Sequence, residues 1–164
     1  MWNRVDKAVG GVSVAFAVVG AGIIGLLAVL VVVDVIGRQI GAPVRGVVEI
    51  AAMVVVTSAF LTIPYVARRG SHIRATVIVS RLPRKARVVA EVAAYVVGLI
   101  VFALLAYSSF GEFTKAYTAG SYEGEGALRV PTWPARLTIF LASVLMVAES
   151  MLGALKALKG EIND

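Results

Sequence analysis

Cysteine is absent from this chain of 164 residues, and histidine occurs once, at His72. With no thiol there is no disulfide, thiolate zinc site, iron–sulfur cluster or thiol nucleophile, and one imidazole cannot supply paired axial ligands to a membrane haem. His72 stands beside Arg68, Arg69 and Arg74 with no acidic residue near it in sequence, a poor setting for a general base. No enzyme, resident cofactor or metal is therefore expected. Charge is scarce as well: Asp, Glu, Lys and Arg make up 16% of the chain, against 59% hydrophobic residues. A soluble fold of this size buries only about two-thirds of the surface that its unfolded chain exposes. So much apolar surface points to a lipid bilayer as its solvent.

Where the charges fall supports this. Ala8–Val33, Ile50–Ala67, Val92–Gly111 and Leu137–Leu155 contain one charged residue between them, Glu149. Each stretch approaches the ~20 residues that a helix needs to cross a hydrocarbon core of about 30 Å. The runs are uniformly apolar and lack the alternation of barrel strands, so helices satisfy their peptide groups. The expected fold is an all-α integral membrane protein with four transmembrane helices. Helix one covers 8–33, helix two 47–67, helix three 91–111 and helix four 136–156, with connecting loops at 68–90 and 112–135. The first run is too long for a signal h-region and has no small-residue cleavage site before Asp34, so it is read as a helix that stays in the membrane.

Lys and Arg are unevenly divided between the two sides. Eleven lie in the N-terminus, the second loop and the C-terminal tail together, and five in the other two loops. The positive-inside rule then puts both termini and the 68–90 loop in the cytoplasm. The net charge of +6 is a topology signal. No nucleic-acid partner is expected, because the basic loop carries no aromatic residues for stacking and faces anionic head groups.

Within that loop Ala75, Ile78, Val79 and Leu82 follow an i, i+3, i+4, i+7 pattern before Pro83, which predicts a short interfacial helix. Ile73, Ala75, Val77 and Val79 also alternate, so a strand fits the period too. On the outer side Asp34 and Arg38, and Arg45 and Glu49, are spaced to meet on one helical face. They form either a rim of ion pairs closing helices one and two or a contact surface for a partner subunit. The 112–135 loop mixes glycines with Tyr122, Pro131 and Trp133, residues suited to anchoring helix four at the interface or to meeting a partner from outside.

Gly20-Ala-Gly22-Ile-Ile-Gly25 matches the dinucleotide-loop pattern but lies inside an apolar span with no preceding strand. Packing explains it better: Ala17, Ala21 and Gly25 form a small-residue stripe, as do Ala90, Ala94 and Gly98. Pro64 frees the carbonyl of Phe60 within helix two. Glu149, the intramembrane carboxylate, is either a structural partner of Arg4, Lys7 or Arg69 or a proton or cation relay.

Several motifs in order carry a family resemblance. Asp34-Val-Ile-Gly-Arg38 ends helix one, Gly46-Val-Val-Glu49 opens helix two, and Tyr65-Val-Ala-Arg68-Arg69-Gly-Ser-His72-Ile-Arg74 closes it. With Arg81-Leu-Pro83 and Pro131-Thr-Trp133-Pro134, this resembles the small membrane (DctQ-type) subunit of tripartite ATP-independent periplasmic transporters over nearly the whole chain. The resemblance implies a three-part importer of the bacterial inner membrane. A periplasmic binding protein captures an organic anion, a large membrane subunit carries it across by a sodium-driven elevator motion, and the small subunit buttresses the large one. It further implies that Asp34, Arg38, Glu49, Arg68, Arg69 and His72 fix helix ends or contact the large subunit. Tyr122, Pro131 and Trp133 would face the binding protein. The competing expectation is a self-sufficient, homo-oligomeric, proton-coupled transporter that uses Glu149.

Overall fold

The computed structural model describes residues 2–69, 83–124 and 129–158. The expected interfacial helix and His72 lie outside the described residues. Four helices dominate: α1 (Trp2–Gln39), α2 (Val47–Arg68), α3 (Arg84–Thr118) and α4 (Trp133–Leu158). All four are long and apolar enough to cross a membrane. At ~1.5 Å per residue α1 is about 57 Å long and α3 about 52 Å. Both exceed a ~30 Å core, so they tilt or carry their ends into the head-group region.

The connections are set by local chemistry. α1 ends in a Schellman motif: Gly41 sits at φ 78°, Ala42 N–H donates to Gly37 O at 2.8 Å, and Gly41 N–H donates to Arg38 O at 3.4 Å. α3 ends similarly, with Gly120 at φ 59° and Ser121 N–H on Ala116 O at 3.0 Å. Between α3 and α4, β1 (Tyr122–Glu123) and β2 (Val130–Pro131) pair antiparallel, with Tyr122 opposite Pro131. Thr132 carries the chain into α4: its backbone N–H and hydroxyl both donate to Ser121 O, and its carbonyl accepts from Arg136 N–H. Pro83 precedes α3 in extended conformation, and Pro64 is fully buried inside an unbroken α2.

α1 packs on α2 and α3 on α4; α2 and α4 join these two hairpins, while α1 and α4 touch over a short stretch. The start of α1 and the ends of α2 and α4 meet at one end of the bundle, the terminal end. The α1–α2 and α3–α4 connections form the other, the hairpin end.

The inward face of α1 is a heptad seam. Ser13, Gly20, Leu27 and Asp34 are buried at seven-residue intervals, with Asp6 one interval earlier and half-buried. Val9, Phe16, Ile23 and Leu30 follow three positions behind them, half-buried, and Gly37 completes that row, buried. A seven-residue repeat drifts by only about 20° per step around a straight helix, so it keeps facing its neighbour. The four-residue stripe expected at Ala17, Ala21 and Gly25 drifts faster and runs off the seam: Ala21 and Gly25 are exposed, and a Cβ on Gly25 would meet nothing. The closest approach to α2 is at Gly20, where a Cβ would stand 3.1 Å from Ser58 O and 3.2 Å from Leu61 Cβ. On α3, Gly98 does lie against Ser150 of α4, but Ala94 is exposed. Phe110 on Phe140 and the contact of the Tyr95 ring with Gly153 complete the α3–α4 packing.

Candidate functional site

At the terminal end three helices converge on one guanidinium. Arg68, the last residue of α2, crosses the face of α1 at Gly10, where a Cβ would lie 2.6 Å from its Cζ, so any side chain there would shift the guanidinium. Its Nη1 donates to both oxygens of Glu149 on α4, at 3.1 and 3.3 Å. Its Nη2 donates to the backbone carbonyl of Asp6 at 2.9 Å and pairs with the Asp6 carboxylate at 3.1 Å. Lys156 Nζ, two turns beyond Glu149, donates to Asp6 Oδ1 at 2.7 Å. Ser13 Oγ donates to Glu149 Oε1 at 2.7 Å, with Val9 O as a second acceptor at 3.0 Å.

The arrangement is a two-rung ladder between antiparallel helices. Asp6 faces Lys156 and Ser13 faces Glu149, seven residues apart on each helix, and Arg68 ties both rungs to α2. Two carboxylates meet two cations, so the formal charge cancels. Glu149 is 7% exposed and Ser13 fully buried. In such surroundings losing one member is costly, because the remaining charge keeps its desolvation penalty without its partner. Glu149 has all its polar contacts within the bundle, which suits a fixed brace better than a group that exchanges a proton or an ion.

This overturns the expected partners of Glu149. Arg4 and Lys7 are exposed, and Arg69, rotated ~100° from Arg68 on a helix, places its guanidinium 5.2 Å from the centroid of the Tyr65 ring instead. Asp6, Ser13 and Lys156 escaped the reading of the sequence. Their signal was the seven-residue spacing Asp6–Ser13 and Glu149–Lys156, visible only if the two helices are known to be neighbours.

The other candidates lie at the hairpin end. Asp34 is 5% exposed, accepts from Arg38 Nε at 2.8 Å and from Val44 N–H at 2.9 Å, and thereby ties the interhelical turn to α1. Arg45 and Glu49 do not meet: Arg45 precedes α2, whose first residue is Val47, so the pair does not share a helical face. Tyr122 lies under Arg129, its ring centroid 4.6 Å from Cζ, with Pro131 across the strand pair. Trp133 stands edge-on to Tyr117 at 6.0 Å, and Glu112 of α3 binds Lys115 and Arg136. The structure thus separates Asp34, Arg38 and Glu49 from Arg68 and Arg69 by the length of the bundle. Among the described residues no three histidine, aspartate or glutamate side chains gather to hold a metal ion.

A family model described as the DctQ component of tripartite ATP-independent periplasmic transporters matches residues 27–160. No curated protein and no solved structure matches the chain.

Proposed function

The chain belongs to the DctQ family, the small membrane component of tripartite ATP-independent periplasmic transporters, a multi-pass protein of the bacterial inner membrane, and from that premise we propose that it works as a static scaffold. In this reading it packs against the large membrane subunit and supports sodium-driven uptake of an organic anion delivered by a periplasmic binding protein. The terminal end, with the basic 68–90 loop, faces the cytoplasm, and the hairpin end faces the periplasm.

The observation that carries the scaffold reading is the closed ionic network. Arg68, Asp6, Glu149 and Lys156 neutralise one another's charge inside the bundle, and the intramembrane carboxylate of Glu149 has its contacts within that network. Exposed surface supports it too. The most apolar part of α3 has no buried residue, though Ser109 and Ala116 toward its end are buried, and the Ala21–Gly25 part of the α1 stripe lies open on the outer face, a surface of the kind that lets a neighbouring helix approach closely. Asp34, Arg38, Tyr122, Pro131 and Trp133 then border the periplasmic partners, and Glu49, Arg69 and His72 remain candidate contacts.

Co-expression with the large subunit of the same transporter tests this. The two are expected to co-purify in detergent, with Glu149→Gln retaining most uptake and losing some heat resistance. A self-sufficient proton-coupled transporter would instead purify alone and lose activity with Glu149→Gln. Because cysteine is absent, single thiols report the topology: Thr118→Cys is expected to react with an impermeant maleimide from the periplasm, and Arg4→Cys only after permeabilisation.

A further inference from the structure

We draw no further inference here: the strongest candidate, the outer face of α1 where a Cβ on Gly11, Gly22 or Gly25 would meet nothing, is a stripe of small residues, and nothing in the structure shows what covers it.

Discussion

The two ends of the bundle hold their helices by different means. At the terminal end every strong polar contact is long-range: Arg68 reaches Asp6 and Glu149, and Lys156 reaches Asp6, so that residues from three helices share one network. At the hairpin end the buried polar contacts are local. Asp34 binds Arg38 one turn away and the N–H of Val44 in the adjoining turn, and two Schellman motifs stop the helices within their own backbones. Burial follows the same division, since the Arg68 side chain is 26% exposed and that of Arg38 is 60% exposed. The terminal end therefore ties α1, α2 and α4 to one another, whereas the hairpin end stops each helix and links α3 to α4 through exposed contacts such as Glu112–Arg136. This asymmetry also fits the short contact between α1 and α4, whose polar links lie at the terminal end.

The largest expected effect comes from removing the shared cation. Arg68→Met leaves Asp6 and Glu149 with Lys156 as the only remaining cation, and loss of one partner from a buried ion pair costs about 3–5 kcal/mol. A fall of that size in detergent stability, read by thermal unfolding, is expected. The double variant Arg68→Met, Glu149→Met removes one charge of each sign, keeps the Asp6–Lys156 pair, and should recover most of the loss. If the double variant is no more stable than the single one, charge balance is not what holds the terminal end. Gly10→Ala comes next. The new methyl occupies the path of the guanidinium, and overpacking of this kind costs about 1–3 kcal/mol; no loss would mean that Arg68 has another route to Glu149.

How much of this was legible in the sequence follows the same division between long-range and local. The four spans were visible because hydropathy is a property of contiguous residues, and the Asp34–Arg38 pair because both lie on one helix. The Schellman glycines Gly41 and Gly120 also announce themselves locally. Arg68 was singled out as a helix-end residue, yet its partner on α4 was not found. Nothing in the spacing within α2 says that Gly10 of α1 provides a gap for its side chain. The small residues of α1 show the same limit: Ala17, Ala21 and Gly25 fit a known packing pattern, but within the chain the seam that meets α2 follows the sevenfold repeat through Gly20, and Ala21 and Gly25 stay on the outer face. A helix carries several small-residue patterns, and only its neighbours decide which is used. Arg45 and Glu49 failed because the helix start lies between them.

At the hairpin end the expected effects are smaller. Asp34→Ala deprives the buried N–H of Val44 of its acceptor and frees Arg38, for a cost of about 1–2 kcal/mol. It should loosen the α1–α2 turn, seen as faster proteolysis at residues 40–46, with little change in the stability of the bundle. Asp34→Asn keeps an acceptor for Val44 and should restore most of the protection, which separates the backbone contact from the ion pair.

The smallest effect is assigned to the other half of that pair. The Arg38 side chain is largely in solvent, its partner is held independently by Val44, and an exposed i, i+4 pair contributes under about 1 kcal/mol. Arg38→Ala should therefore leave thermal unfolding of the isolated subunit nearly unchanged. A charge reversal, Arg38→Glu, acts through whatever lies beyond the chain: if this end of α1 borders a partner, uptake by the assembled transporter falls while capture of solute by the binding protein does not. Should Arg38→Ala instead destabilise the isolated chain as much as Arg68→Met does, the contrast between the ends fails. Asp34 would then need its counter-charge as Glu149 needs Arg68, and the hairpin end would have to be counted as a second ionic anchor.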